Sequence, residues 1–375
     1  KPDIKIWPNK MVESGTEVSS NLVWGSKFIR SIFGFRGLAG EINVDITPEY
    51  ASKLGAAYGA TFKGKGKIGI SSDDSTPAKM LKMSFMSGLM SAGLKVFDFG
   101  VLHLPVFRSA VRFYGADGGI HIGTSSKDNS KLNVDFIDKN GSNIERGIER
   151  KIENAFQRED FSRCEGDAID EIEVIPDYTG FYLRNILNNT KSKNMEYRVL
   201  LNSPSEYILE TVESLLTSLG CTVEKTVLDL QNAKAMSRGN DSGEMNYLIS
   251  TARMGNFDMG VSIEDTSEKM MLVDNNGRVI SDDMFTALIS LIMFKTVEGG
   301  TVVVPISASS VIEKIAELNN GRVIRTKTSP QDLMNKILGS EVKDNVYDQF
   351  ALHFDAIAGL VKILDFMKSN NYKLS

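Results

Sequence analysis

An α/β fold made of three tandem units with mixed, largely parallel sheets is predicted by three features of the sequence. From about residue 27 onward, strand-like and helix-like segments alternate, which is typical of α/β domains. A pattern of helix, glycine and strand recurs along the chain. The length of 375 residues also exceeds what one hydrophobic core holds and predicts about two to four domains.

The clearest copies of this repeat are GLMSAGLKV, residues 88–96, and LLTSLGCTV, residues 215–223. In each copy we expect a helix that ends at a glycine and a strand that begins shortly after it. A third, looser copy is AELNNGRVI, residues 316–324, in which Gly321 is expected to end a helix begun near Ser310. These copies predict three similar units.

Small polar residues follow a short apolar strand before each of these helices. We predict that they are helix N-caps, and the same geometry can hold an anion at a helix N-terminus. Two other passages run apolar residues into Asp-x-Asn-Gly and predict turns. The strand-to-helix passages are KIGISSDDSTP (67–77), RVLLNSPSE (198–206) and TVVVPISASS (301–310), and the turn passages are VDFIDKNG (134–141) and MMLVDNNG (270–277).

The first 26 residues follow a different pattern, because apolar side chains recur there at six-residue steps: Ile6, Val12, Val18 and Trp24. This is the step of a hexapeptide-repeat β-helix, whose coils need about three stacked turns to bury their apolar edge. We interpret the segment as a β-helix remnant, and the alternative is an N-terminal arm with chance spacing. The first residue is Lys1 rather than Met, which indicates a longer parent protein.

Composition excludes several classes of function. The chain is 42% hydrophobic and 24% charged, and it has no apolar run long enough to span a membrane. A net charge of -5 without a basic stripe argues against nucleic acid as a partner. Cys164 and Cys221 show no metal-ligand spacing and indicate a cytoplasmic thiol pair, and the three histidines are predicted to be structural.

Several stretches together resemble the α-D-phosphohexomutases, the phosphoglucomutase and phosphomannomutase family. The resemblance covers about residues 30 to 365. It implies an enzyme that interconverts sugar 1- and 6-phosphates with a phosphoserine and Mg²⁺ in a cleft between four domains. The stretches are GFRGLAGEINVDITPEYASKLGAAYG (34–59), GADGGIHIGTSSKDNSKLNVDFIDKNG (115–141), NFDMGVSIEDTSEKMMLVDNNG (256–277), SVIEKIAELNNGRVIRTKTSPQDL (310–333) and FDAIAGLVKIL (354–364).

The resemblance assigns roles to individual residues. Ser125 falls on the phosphoserine, and Arg36 is retained from the G-x-R-G block of the family. Lys269 replaces the arginine of the metal loop D-G-D-G-D-R, and Lys127 replaces an asparagine of T-A-S-H-N-P, so both are candidate substrate-binding residues. The three aspartates of the metal loop become Glu264, Thr266 and Glu268, which are the candidate metal ligands.

The sequence also departs from the family at positions that carry the chemistry. Ser126 replaces the histidine after the phosphoserine, and the change to two longer carboxylates and a threonine should weaken Mg²⁺ binding. The R-D-T-R segment, which offers two guanidiniums to phosphate, reads ISSD at residues 70–73. The sugar-reading loop is replaced by residues 339–354, and a fourth domain would begin near residue 370, where five residues remain before Ser375.

These features lead to four expected segments: a short left-handed β-helix remnant at 1–26 and mutase-like domains at 27–168, 169–276 and 277–375. We expect a catalytically impaired phosphohexomutase-like module with a scaffold, assembly or sugar-phosphate-sensing role, with Mg²⁺ weak or absent. The alternative is an active mutase that uses phosphorylated Ser125 and Mg²⁺. The expected partners are a hexose phosphate, a further copy of the chain, and a mannose-1-phosphate guanylyltransferase-like part upstream in the same protein.

Overall fold

A computed structural model describes most of the chain from residue 37 onward. The chain divides into two compact units, Lys1–Tyr178 and Thr179–Ser375. The predicted β-helix remnant at 1–26 falls almost entirely outside the described residues. The described residues are 4–5, 15, 32–34, 37–63, 65–125, 128, 130–161, 163–226, 243–339, 341–342 and 345–375.

The first unit contains a six-stranded sheet of order β1-β5-β4-β2-β3-β6. Strands β4, β2, β3 and β6 pair in parallel, whereas β5 runs antiparallel to β4 and to β1. The strands are β1 (Leu38–Glu41), β2 (Lys67–Ser72), β3 (Lys95–Val101), β4 (Gly118–Thr124), β5 (Lys131–Asp138) and β6 (Glu173–Val174). The helices are α1 (Pro48–Ala60), α2 (Thr76–Ser91), α3 (Leu104–Phe113) and α4 (Arg146–Arg158), with a 3₁₀ turn at Gly166–Ala168.

Helices α1 and α2 pack closely because glycines lie where they meet. A Cβ added at Gly88 would lie 2.0 Å from the Ser52 carbonyl oxygen, and one added at Gly55 would lie 2.7 Å from the Phe85 carbonyl oxygen. Any side chain there would separate the helices and open the core beneath them. The core itself is aromatic, and the ring of Phe136 packs edge-on against Tyr58, Phe85 and Phe33.

The second unit contains a four-stranded sheet of order β10-β9-β7-β8 and a parallel pair, β11 and β12. Helix α5 (Tyr178–Asn189) begins at the last residue of the first unit. The strands are β7 (Arg198–Asn202), β8 (Thr222–Thr226), β9 (Met259–Ile263), β10 (Met270–Asp274), β11 (Thr301–Pro305) and β12 (Arg322–Thr326). The remaining helices are α6 (Glu206–Ser218), α7 (Gly243–Met254), α8 (Asp282–Thr296), α9 (Val311–Leu318), α10 (Pro330–Ile337), α11 (Val346–Phe354) and α12 (Ala356–Asn370).

The predicted α/β class is confirmed, because six of the nine strand pairings among the described residues are parallel. The first sheet extends to Val174, and the strands after it form two separate sheets. The limits of the three mutase-like domains remain predictions. No helix in the described part of the chain is long and apolar enough to cross a membrane.

Two copies of the helix-glycine-strand repeat are confirmed, and the third is corrected. Gly93 and Gly220 follow α2 and α6 with φ of 80° and 81°, the left-handed conformation that favours glycine. After α9, however, this conformation falls on Asn320, with φ of 53°, and not on Gly321. Gly321 is instead needed for packing, because an added Cβ would lie 2.3 Å from the ring of Phe294.

The predicted caps are confirmed at two of three helices. Ser75 and Ser205 accept hydrogen bonds from Ala78 N and Ile208 N and so cap α2 and α6. Before α9 the N-cap residue Ser310 makes no such bond, and the neighbouring Ser309 Oγ instead accepts from Val311 N at 3.3 Å. Both Asp-x-Asn-Gly turns are present. In each turn the aspartate, its first residue, accepts hydrogen bonds from two backbone N–H groups. Asp138 accepts from Asn140 and Ser142, and Asp274 accepts from Asn276 and Arg278.

Candidate functional site

Ser125, the candidate phosphoserine, directly follows β4 in the first unit. Its N–H donates to the carbonyl of Lys131 at 2.9 Å, which closes the loop that turns back into antiparallel β5. Its own carbonyl accepts from Asp128 N at 3.3 Å. Ser125 is half-buried and follows the end of β4, which is the neighbour of β2 in the sheet. From these two parallel strands the chain continues toward opposite edges of the sheet, since β2 leads to β3 and β4 leads to β5. Ligands of open α/β sheets bind at such switch points.

Asp73, the first residue after β2, is tied directly to this loop. Its Oδ2 accepts a hydrogen bond from the backbone N–H of Thr124 at 2.5 Å, and its Oδ1 accepts from the N–H and hydroxyl of Ser75 at 3.0 and 2.6 Å. The hydroxyls of Ser75 and Thr124 lie 2.6 Å apart. The resemblance predicts an arginine at position 73. The side chain there is therefore a carboxylate bound to the residue before Ser125.

A row of buried polar residues crosses the sheet just below this loop. Ser71, His121 and Asp135 are register partners on β2, β4 and β5, so their side chains share one face. All three are nearly inaccessible, at 0%, 6% and 4% exposure. The hydroxyls of Ser71 and of neighbouring Ser72 have no hydrogen-bond partner among the described residues.

The histidines of the first unit are buried, as predicted for structural residues. His121 Nε2 lies 3.0 Å from the carbonyl of Leu102 and therefore donates to it. Burial, with a smaller contribution from His121, lowers the pKa of His103 to about 3, so this imidazole is neutral at pH 7. The sequence analysis missed both Asp73 and the row of Ser71, His121 and Asp135. Their proximity follows from strand register, and no local motif signals it.

Arg36 and Lys127, two of the candidate site residues, lie outside the described residues. The two glycines of the G-x-R-G block are described, and Gly34 N donates to the Gly37 carbonyl at 2.8 Å. A Cβ at Gly37, where φ is 53°, would lie 2.2 Å from the Val134 carbonyl oxygen. Only glycine fits there, which explains why the G-x-R-G block needs its second glycine.

The candidate metal loop, Glu264–Lys269, joins β9 to β10 in the second unit. Glu264 N donates to the Lys269 carbonyl at 3.1 Å and closes the hairpin. Ser267 takes the left-handed conformation, with φ of 60°, and is fully buried. Its carbonyl accepts from Ala356 N at 2.9 Å, so the loop is anchored to the first turn of α12. Asp265, which replaces a glycine of the family, does not have a positive φ.

The side chains of this loop do not fit a three-carboxylate magnesium site. The hydroxyl of Thr266 donates to Glu264 Oε1 at 2.6 Å and so occupies one of its acceptor positions. Glu268 is only 5% exposed and interacts within the protein. No three His, Cys, Asp or Glu side chains in the described part of the chain gather closely enough to hold a metal ion. Mg²⁺ takes oxygen ligands, and this loop offers two carboxylates and a hydroxyl where the resemblance implies three carboxylates.

Lys269, the candidate substrate contact of the second unit, is exposed at the edge of a cavity of about 340 Å³. The same cavity is lined by residues that follow β11 and β12 and by His353 on α11. The segment expected at the sugar-reading loop, residues 339–354, is mostly this helix. Gln349 of α11 is fully buried, and its amide pairs with both backbone groups of Val303 at 3.2 and 2.6 Å, as a neighbouring strand would.

Comparisons with known proteins agree with this fold. The family described as Phosphoglucomutase/phosphomannomutase, alpha/beta/alpha domain I, matches residues 30–163. A phosphoglucomutase/phosphomannomutase of Thermococcus kodakarensis is 27% identical over 360 residues, which cover 92% of this chain and 78% of the relative. A phosphoglucosamine/phosphogalactosamine mutase of Sulfurisphaera tokodaii is 27% identical over 318 residues, which cover 82% of this chain and 69% of the relative.

Solved structures share the fold at lower identity. A phosphoglucomutase/phosphomannomutase family protein from Burkholderia thailandensis has a TM-score of 0.76 at 15% identity, over 91% of this chain and 78% of that one. The N-acetylphosphoglucosamine mutase of Aspergillus fumigatus, in complex with GlcNAc-6P and magnesium, has a TM-score of 0.53 at 10% identity, over 91% and 78%. The domain I match and the relatives show that this chain is similar to phosphohexomutases, and the solved structures share its fold.

Proposed function

We propose that this chain is a phosphohexomutase-family module that does not transfer phosphate at Ser125 and acts through binding or assembly. The observation that carries the proposal is the contact between the Asp73 carboxylate and the backbone of Thr124, at the base of the Ser125 loop. A phosphate on Ser125, the next residue in the chain, would be repelled by this carboxylate, by about 1 kcal/mol per pair of unit charges at a separation of 4 Å in water. Phosphoryl transfer depends on the opposite, a cationic environment for the transferring oxygens.

The second unit supports the same proposal. The Glu264–Lys269 loop has two carboxylates where the resemblance implies three, and we expect weakened Mg²⁺ binding because Thr266 donates to Glu264 and Glu268 is buried. Without the metal, the charge that develops on the phosphoryl group is not neutralised. Losses of groups that act together are non-additive in catalysis, so a changed nucleophile loop and a changed metal loop leave little turnover.

The proposed role is a scaffold or a sugar-phosphate sensor within a nucleotide-sugar biosynthesis protein. The relatives are named as mutases of hexose phosphates and hexosamine phosphates, which makes these sugar phosphates the first ligands to test. Their binding without turnover should raise the unfolding temperature independently of divalent metal. An upstream nucleotidyltransferase part and assembly into a homo-oligomer belong to the same proposal, and both can be tested on the full-length protein.

The alternative is an active mutase that works through phosphorylated Ser125 and Mg²⁺. One experiment separates the two: the chain is incubated with glucose 1-phosphate or mannose 1-phosphate, Mg²⁺ and a hexose bisphosphate to load the serine. Turnover is followed by NMR, and phosphate on Ser125 by intact mass and peptide mapping. The proposal expects neither turnover nor phosphoserine.

The matched control is Ser125→Ala. If the natural chain isomerises hexose phosphate and this variant does not, the active mutase is correct and the proposal is wrong. Turnover that persists in the variant would identify a contaminating enzyme, and the assay is then repeated on material free of it. Folded protein in both samples is verified by circular dichroism and by thermal unfolding.

A further inference from the structure

Ser267, in the Glu264–Lys269 loop, has a backbone conformation that a serine rarely adopts. Its φ is 60°, and the residue is fully buried. In the D-G-D-G-D-R block that this loop resembles, a glycine stands at this position, and glycine adopts a positive φ at no steric cost. A serine in this conformation is strained, and it persists only where the surrounding structure holds it.

Two backbone hydrogen bonds hold Ser267, one on each side of the residue. Its N–H donates to the Glu264 carbonyl at 3.0 Å, within the loop. Its carbonyl accepts from Ala356 N at 2.9 Å, at the first residue of α12. The first N–H groups of a helix have no acceptor within the helix, so Ala356 can donate to the loop. The conformation of Ser267 therefore depends on the position at which α12 begins.

Asp355 determines where α12 begins. It is the single residue between α11, which ends at Phe354, and α12. Its N–H donates to the Ala351 carbonyl of α11 at 2.9 Å, and its Oδ1 accepts from Ala358 N of α12 at 3.0 Å. Asp355 is thus the N-cap of α12, and it fixes the first turn of this helix against the end of α11.

Tyr182, on α5, binds the second oxygen of the same carboxylate. Its hydroxyl donates to Asp355 Oδ2 at 2.5 Å, although the two residues are 173 positions apart in the chain. Both side chains are buried. A hydrogen bond to an ionised carboxylate is among the stronger ones in proteins, and its loss inside the protein leaves an acceptor unsatisfied. The start of α12 is therefore held from α5 as well as from α11.

We propose that the Tyr182–Asp355 pair is a positioning device that holds the Glu264–Lys269 loop in its strained conformation. The pair acts through Ala356 N and the Ser267 carbonyl, and it fixes the place of Lys269, whose carbonyl closes the loop on Glu264 N. It compensates for the serine that stands where the resemblance has a glycine. The inference goes beyond the proposed function, because it concerns what holds the loop, whatever the loop binds.

The first test is Tyr182→Phe, which removes one hydroxyl and leaves the ring in place. Hydrogen exchange at the Ala356 amide should accelerate about tenfold relative to the amides of β7, and the NMR shifts of Ser267 should move away from their left-handed values. The matched control is Tyr372→Phe, which removes an exposed hydroxyl beyond the other end of α12 and should change neither signal. Unchanged exchange at Ala356 in Tyr182→Phe would overturn the proposal, as would equal acceleration in β7.

A second set of variants tests the link to the strained residue. In a Ser267→Gly background the positive φ has no steric cost, so adding Tyr182→Phe should accelerate exchange at Ala356 by less than about threefold. Ser267→Ala removes the hydroxyl but keeps the Cβ, and in this background the response should remain about tenfold. Equal responses in the two backgrounds would contradict the proposal, because Tyr182 would then support α12 without holding a strained loop.

Asp355→Ser separates the two bonds of the carboxylate. Serine still caps α12, but it removes the carboxylate that Tyr182 binds. Exchange at Ala356 should therefore accelerate about as much as in Tyr182→Phe, and adding Tyr182→Phe should accelerate it little further. Additive effects of the two changes would show that Tyr182 and Asp355 do not act as a pair. Circular dichroism and thermal unfolding verify that each variant is folded.

Discussion

The Asp73 carboxylate accepts the backbone N–H of Thr124 at 2.5 Å, although the two residues are 51 positions apart in the chain. The same carboxylate accepts two hydrogen bonds from Ser75 at the start of α2. It therefore joins the end of β2, the cap of α2 and the end of β4 at one point. Ser125, the next residue after Thr124, takes its position from this contact.

We predict that Asp73→Ala lowers the free energy of unfolding by about 1 to 3 kcal/mol, because hydrogen bonds to an ionised group are lost and Thr124 N–H loses its acceptor. Hydrogen exchange at the Thr124 amide should accelerate in the same variant. The control is Asp74→Ala, which removes an exposed neighbour and should change stability by less than about 0.5 kcal/mol. Equal effects of the two changes in urea unfolding would show that the contact is not stabilising.

We predict that the triple change Glu264→Asp, Thr266→Asp and Glu268→Asp increases the affinity for Mg²⁺ at least tenfold. It supplies a third carboxylate and removes the hydroxyl that now binds Glu264. Isothermal titration with Mg²⁺ and Mn²⁺ measures the change. Glu264→Asp with Glu268→Asp, which leaves Thr266 in place, is the matched control and should gain much less. A triple variant that binds no better than this control would mean that the backbone of the loop, and not its side chains, limits metal binding.

Two helical glycines should respond in opposite directions to the same substitution. Gly88→Ala places a Cβ against the Ser52 carbonyl at the α1 and α2 contact and should destabilise the protein by about 1 to 3 kcal/mol. Gly147→Ala, on α4, meets no atom within 4 Å and should stabilise it by about 0.5 to 1 kcal/mol through helix propensity. Thermal unfolding of the two variants checks both signs, and a stable Gly88→Ala protein would contradict the close helix packing.

Acid should destabilise the protein through His103 and His353. The pKa values of His103 and His353 are lowered to about 3 and about 4 by burial, whereas an unfolded histidine titrates near 6.5. Between about pH 6.5 and pH 4 the unfolded chain therefore binds protons that the folded chain does not. The unfolding free energy should fall as the pH is lowered, by about 1.4 kcal/mol per pH unit for each histidine.

The variant His353→Gln separates this effect from the titration of carboxylates. It should reduce the slope of the unfolding free energy against pH by about 1.4 kcal/mol per pH unit, the contribution of one proton, between pH 6 and pH 4.5. Above pH 7 the slope should be unchanged. Urea unfolding at half-unit pH steps measures the slope. The same slope in both proteins would mean that His353 is protonated in the folded state.

Local features of the sequence determined much of the fold. The alternation of strands and helices predicted the α/β class, and the glycines after α2 and α6 have the expected left-handed conformation, with φ of 80° and 81° at Gly93 and Gly220. Both Asp-x-Asn-Gly turns form as predicted. These predictions succeed because each depends on residues within a few positions of one another, whose preferred backbone angles hold in any fold.

Only the tertiary structure decided the features that depend on distant residues. Gly321 faces the ring of Phe294, the row of Ser71, His121 and Asp135 crosses three strands, and Asp73 reaches Thr124. In each case strand order and helix packing bring together positions that no local pattern links. The sequence alone therefore determined the α/β class and its local turns, and the resemblance singled out Ser125. Packing of β2 beside β4 decided that a carboxylate, where the resemblance predicts an arginine, lies against its loop.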